Sequence, residues 1–314
     1  MTFKSRKHIV NFYLTAYGSF IFIGLLSLIT ILIFKVEYQK PNAPFKLFFL
    51  PVIGFSVFMM GVKVLIDYLR ATPDIEMQDG KLIVRRLRTK AEFLLEDITS
   101  IEFSGVFDTE IPFASRDKTA LRIQCGEKQW LFFDDFYSNL WQLKMYLGKK
   151  WGTGDAYEVM PPLRSEYQLE SFQNHKGYQL FNLNGLLLWG LSSFFLYIYL
   201  SHKSGIVPAV LFFVFFFFLV SRLLYFFQTS ENFLVVKNHN FFWFRNIYRL
   251  SDIRQVIIEQ GSKKPYTLRI VTKDFKQSEY AASTLRKKHW NELAVVLRSK
   301  GIPITDNLHI LNDV

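Results

Sequence analysis

Four stretches of this chain stay apolar for about twenty residues each, and they bound what it can fold into. They are residues 14–34, 47–66, 183–201 and 206–227. A bilayer core of roughly 30 Å is crossed by about 20 apolar helical residues, because a helix satisfies its own backbone hydrogen bonds. Each run is therefore expected to be a transmembrane helix, and their spacing pairs them into two hairpins, 14–69 and 181–227. The first run is too long for a cleaved signal core, and no small-residue cleavage site follows it. Charged residues still make up 21% of the chain, too many for a protein wholly in lipid, so water-facing parts must alternate with the spans.

The chain reads as a tandem duplication. Lys63 near the end of the second run corresponds to Arg222 in the fourth, at an offset of 159 residues, and Pro51 and Pro208 lie near the starts of the same runs. Downstream, Leu95, Asp97 and Ile98 align with Leu250, Asp252 and Ile253. Leu-Arg-Ile recurs at 121–123 and 268–270, and Leu143, Leu147 and Lys150 align with Leu293, Leu297 and Lys300. Order fixed at this scale sets an architecture. Lys63 and Arg222 are read as interface markers, long side chains whose stems stay in lipid while the heads reach water.

The water-facing regions, 70–150 and 228–302, carry short β-branched and aromatic runs closed by one amphipathic helix. Asp79-Gly80 is a hairpin signal. Residues 1–13 are expected to be a cytoplasmic N-terminus, 151–180 a linker and 303–314 a tail. Basic residues at Lys63, Arg70 and Arg222 place the soluble parts, and both termini, in the cytoplasm of a multi-pass protein of the cell's inner membrane. One cysteine, Cys125, excludes an intrachain disulfide.

The hairpin, the Asp79-Gly80 turn, the Leu95-Glu96-Asp97-Ile98 and Leu250-Ser251-Asp252-Ile253 strand starts and the helices ending near Lys150 and Lys300 resemble bacterial membrane proteins with pleckstrin-homology-like domains. The resemblance implies two copies of a unit, each with two transmembrane helices and a PH-like antiparallel barrel capped by a C-terminal helix. Copy two departs from it, with Asn238-His239-Asn240 where copy one has Asp79-Gly80.

No nucleotide, hydrolase, zinc-protease or Cys-x-x-Cys motif is present, so no enzyme activity, cofactor or metal is expected. Asp134-Asp135 fits a helix cap better than a metal site, and Gly152-Thr153-Gly154 reads as linker. The candidates that remain are basic. Lys81, Arg85, Arg86, Arg88 and Lys90 lie on the first strands of copy one, and Arg245, Arg249 and Arg254 occupy similar places in copy two. Residues 71–180 hold 14 basic and 17 acidic residues, and 228–314 hold 14 and 8, so the second copy is the basic one. Basic residues beside a membrane suit anionic lipid headgroups; no nucleic-acid-binding fold accompanies them. The expected function is a non-enzymatic integral membrane protein, a scaffold whose two soluble domains bind a protein partner, anionic lipid or both. The alternative is a component of a membrane transport or export complex.

Overall fold

The computed structural model describes residues 2–38, 50–87, 89–108, 117–151, 157–178, 185–186, 188–190, 193–194, 197, 214, 216–260 and 265–306. The chain divides into two compact units, Met1–Trp151 and Gly152–Val314.

Unit 1 begins with a short strand, β1 (Phe3–Lys4). A π-helical stretch, Ile9–Tyr17, then runs into helix α1 (Gly18–Tyr38), which is followed by α2 (Leu50–Ala71). Pro51 falls in the first turn of α2, where a missing N–H costs nothing. Two glycines let the helices approach closely: a Cβ on Gly54 would meet Ile31 at 3.2 Å, and one on Gly61 would meet Ile23 at 3.0 Å. The Ser27 hydroxyl donates to the Gly54 carbonyl across the pair at 2.5 Å. Small residues and a hydroxyl bond are the means by which apolar helices associate. The outer surfaces remain apolar and exposed, including Phe22, Leu25, Ile29, Phe55 and Met60. Lys63 is exposed on α2. The helix continues past it to Ala71, and there Val64 and Tyr68 are buried, Tyr68 edge-on to Phe136 at 5.8 Å. The C-terminal end of α2 is thus packed into the core of unit 1.

The β-rich part of unit 1 has two sheets. The first, in order β1-β2-β3-β4, adds β2 (Asp74–Gln78), β3 (Lys81–Arg86) and β4 (Thr89–Leu94). Asp79 and Gly80 both have positive φ, 51° and 76°, as a two-residue type I′ hairpin requires. The second is β5 (Ile98–Asp108), β6 (Asp117–Cys125) and β7 (Lys128–Phe133), followed by α3 (Leu140–Lys150). β1 pairs with β2, and the segment after it is held to the α3 side by Ser138 N–H to the Arg6 carbonyl and His8 N–H to the Phe136 carbonyl, both 2.8 Å.

Unit 2 repeats the strand order of unit 1, with a short helix added before it and a strand added after its last helix. A four-residue helix, α4 (Arg164–Tyr167), precedes β8 (Gln173–His175). Then come β9 (Tyr225–Thr229), β10 (Phe233–Asn238) and β11 (Arg245–Arg249), giving a sheet ordered β8-β9-β10-β11. The second sheet holds β12 (Ile253–Gln260), β13 (Tyr266–Thr272), β14 (Gln277–Ala281) and β15 (Ile304–Asp306), which runs parallel to β12; the last helix is α5 (Lys287–Ser299). The core lies between the two sheets and α5. Phe227, Leu234 and Val236 face Ile258, Leu268 and Ile270, and Trp290, Leu293 and Leu297 close one end. Alternation along each strand sends every second side chain inward, so Leu234 and Val236 face the core while Val235 and Lys237 face outward.

The architecture corrects the expected one. Among the described residues two helices, not four, are long and apolar enough to cross a membrane, and the strands form four separate sheets rather than two barrels. Much of 183–201 and 206–227 lies outside the described residues, but the end of the fourth run is clear. The helix stops at Ser221, Arg222 and Leu223 form a turn, and Tyr225, Phe226 and Phe227 belong to β9. Their apolarity serves a buried strand. Hydropathy alone cannot separate a buried strand from a helix within one continuous run. Arg222 therefore sits in a helix-to-strand turn, not within a span. The counterpart of Asp79-Gly80 in unit 2 is the Ser230–Asn232 turn between β9 and β10; Asn238-His239-Asn240 opens the next hairpin instead.

Candidate functional site

Strand register decides which of the candidate cations are neutralised. In unit 1, Arg85 on β3 stands directly opposite Lys90 on β4, and Asp74 stands opposite Arg85 from β2. Arg85 donates to Glu76 at 2.8 Å, Lys4 reaches the same carboxylate at 3.4 Å, and Lys90 pairs with Glu92. The Glu92 carboxyl is held below its usual range, first by the Lys90 hydrogen bond and charge, with Lys81 and Arg85 contributing. Arg86 is exposed where β3 ends. Arg88 lies outside the described residues. The outer face of this sheet is a chequer of opposite charges.

Unit 2 repeats the geometry without the acids. Lys237 on β10 stands opposite Arg245 on β11, as Arg85 does with Lys90. On the other side of Lys237 is Phe226 where unit 1 has Asp74, and Gln228 takes the place of Glu76. Lys176, just past β8, lays its ammonium over the Phe226 ring at 5.1 Å. Lys176, Phe226, Lys237 and Arg245 thus form one row across four strands. Among the described residues no carboxylate pairs with any of its three cations. The field is visible in neighbouring groups. The Lys237 ammonium loses its proton more readily than usual, because of burial first, then Arg245, then Lys176. His239 is pushed down to about 4 by burial and then by Lys176.

Above the row lies a cleft of about 220 Å³, lined by Arg164, Tyr167, Gln168, Gln228, Lys237 and Arg245, among others. The segment that carries α4 supplies one wall. Arg245 stacks on Tyr167 at 4.8 Å. Glu170 also lines the cleft, but its carboxylate accepts from Asn232 at 2.8 Å, beyond the far end of β10. The other two candidates of copy two are consumed structurally. Arg249 makes a two-pronged pair with Glu166 at 2.7 and 2.8 Å and donates to the Met160 carbonyl at 3.0 Å. Arg254 lies over the Phe275 ring at 4.6 Å. Of the seven basic candidates among the described residues, Arg245 alone joins the row. Lys176, Lys237 and Arg164 were missed. The signal for Lys237 was its alternation with Leu234 and Val236, which puts it on the outer face beside the strand that carries Arg245.

The remaining constellations resolve as structure. Asp134 pairs with the fully buried Lys144 at 2.6 Å, and Asp135 pairs with the buried Lys118. The Asp97 carboxylate accepts from the Leu94 N–H at 3.1 Å, closing a 3-10 turn, whereas Asp252 accepts from the Tyr157 hydroxyl at 2.6 Å. Gly152-Thr153-Gly154 lies outside the described residues. Among the described residues no group of three or more His, Cys, Asp or Glu side chains can hold a metal. Burial raises the Cys125 thiol above its usual range, which makes it a poor nucleophile. The cation row offers positive charge and N–H donors, the complement of a phosphate or carboxylate. No family model matches the chain, and no curated protein matches it.

Proposed function

We propose that this chain is a membrane-anchored, non-enzymatic binding protein that holds an anionic, phosphate-bearing group on the outer face of unit 2. The carrying observation is the Lys176, Lys237 and Arg245 row, which keeps the cross-strand cation pair of unit 1 while Phe226 and Gln228 replace its acids. Like charges directly opposite across strands destabilise a sheet, so an uncompensated pair in a cleft supports a ligand of opposite sign. Anchorage is supported by α1 and α2, which are long and apolar enough to cross a membrane and whose outward side chains are apolar and exposed. The resemblance to bacterial membrane proteins with pleckstrin-homology-like domains remains part of this proposal, supported by the strand order that the two units share and by the helix that follows it in each.

The test is calorimetric titration of the full chain, in neutral detergent, with soluble dihexanoyl phosphatidic acid. Binding is expected in the wild type and in Arg85→Gln/Lys90→Gln, and is expected to fall at least about tenfold in Lys237→Gln/Arg245→Gln, from two lost charge-assisted hydrogen bonds. Absence of binding, or equal loss in both variants, refutes the proposal.

A further inference from the structure

The hairpin that follows Lys237 and precedes Arg245 ends in four aromatic residues, Phe241-Phe242-Trp243-Phe244. Phe242 and Trp243 are 88% and 64% exposed. Phe241 beneath them is buried, stacked on Phe218 with ring centroids 5.5 Å apart, and edge-on to Phe217 at 6.1 Å. The loop is braced. The buried Asn238 side-chain oxygen accepts from the Asn240 and Phe241 N–H groups at 2.9 and 3.1 Å, and its amide donates to the Ser221 carbonyl at 2.7 Å. Asn240 donates to the Ser221 hydroxyl at 2.7 Å. Two large rings are therefore held outward on a rigid mount, where a water-facing hairpin would carry polar residues.

Two further features identify what meets those rings. Phe218 and Leu219, on the helical residues beside the loop, are also more than half exposed, so the apolar surface extends past the tip. At its base stand Lys237 and Arg245, the last cross-strand pair before the loop, with Lys176 in the same row, and Arg222 exposed one residue after Ser221. Aromatic rings that include Trp, collared by cations, match a bilayer interface, with hydrocarbon below and phosphates at the collar. A protein partner would need its own apolar socket ringed by acids, and nothing in the fold calls for one.

We propose that the Phe241–Phe244 tip is a bilayer-interface anchor that seats unit 2 on the membrane surface. This rests on the anion reading only for the charge of that surface; the insertion of the tip stands or falls by itself. The site's phosphate would then come from lipid headgroups around the inserted rings.

The experiment uses the full chain with Cys125→Ser, reconstituted in phosphatidylcholine vesicles with and without phosphatidylglycerol. A polarity-sensitive fluorophore is attached at Phe242→Cys and, separately, at Glu231→Cys in the turn at the opposite end of β10. Both positions are exposed, so the fold tolerates them. The expected result is blue-shifted emission from position 242, quenched by spin-labelled lipid, and water-like emission from 231. Water-like emission from 242 in both lipid mixtures overturns the proposal, as does equal quenching at 242 and 231. In Lys237→Gln/Arg245→Gln, insertion at 242 that no longer responds to phosphatidylglycerol supports both readings. Insertion that still responds as in the wild type supports the tip and sinks the anion site.

Discussion

Replacing Lys237 by Gln should stabilise unit 2 while weakening its binding. Lys237 and Arg245 are directly opposed on neighbouring antiparallel strands, so their Cβ atoms are roughly 5 Å apart. Two unit charges held at about 6 Å repel by about 0.7 kcal/mol in water and by about 3 kcal/mol at an effective dielectric of 20. Lys237 is only partly buried and Arg245 is exposed, which places the relief near 0.5–1 kcal/mol, the range measured for cross-strand pairs. Glutamine keeps most of the stem and its packing. The control is Arg85→Gln in unit 1, at the same position, where Glu76 accepts from the guanidinium at 2.8 Å. There the loss of an exposed ion pair should cost up to about 0.5 kcal/mol. Native-state hydrogen exchange of the β10 and β3 amides reads each change locally. At low salt, β10 protection should rise about two- to fivefold in Lys237→Gln, and β3 protection should fall in Arg85→Gln. In 1 M salt, with a screening length of about 3 Å, both effects should largely vanish. If Lys237→Gln lowers β10 protection at low salt, some unrecognised acid compensates Lys237, and the argument for an anion site is wrong.

Further predictions concern the buried groups. Lys144→Met should cost about 3–5 kcal/mol, seen in hydrogen exchange of α3, because it strands the Asp134 carboxylate. Adding Asp134→Ala should recover most of that loss, since unit 2 has Ala294 and Ala282 at the corresponding places and buries both. His239 has its pKa lowered from 6.5 to about 4. The native state therefore binds fewer protons than the unfolded one as pH falls, and stability present above pH 6.5 is lost on the way to pH 4. After discounting for partial exposure, that loss is about 1–2 kcal/mol. His239→Gln should flatten the pH slope relative to wild type, in urea titrations from pH 7 to pH 4; His175, whose pKa is also lowered by burial, keeps its own contribution in both proteins. Gly177→Ala should cost more than about 3 kcal/mol or displace the segment, because its Cβ would fall 1.7 Å from the Thr284 carbonyl oxygen. Since Lys176 is the adjacent residue, lipid titration of that variant should show weakened binding as well.

Much of the chain was legible from residue order. The runs at 14–34 and 47–66 correspond to α1 and α2, because a helix is what satisfies all the backbone groups of one continuous apolar segment of about twenty residues within that segment. Asp79-Gly80 gave a type I′ turn because its two positive φ values suit few other pairs. The correspondence of the Leu-Arg-Ile runs marks β6 and β13 as equivalent strands of the two units. What the sequence by itself could not determine was where apolarity changes purpose. Residues 223–227 continue the hydrophobic run, yet they leave the helix and enter a core strand, because the interior of a sheet sandwich is as free of water as lipid is. Nor could it tell which cations are free. Arg85, Lys90, Arg245 and Arg249 look alike along the chain. Lys90 pairs with Glu92 on its own strand, but only strand register brings Glu76 to Arg85 and only the Glu166 segment reaches Arg249, while among the described residues no carboxylate pairs with Arg245. Charge is a property of composition, but its compensation is a property of distance, and distance across strands is set by tertiary structure.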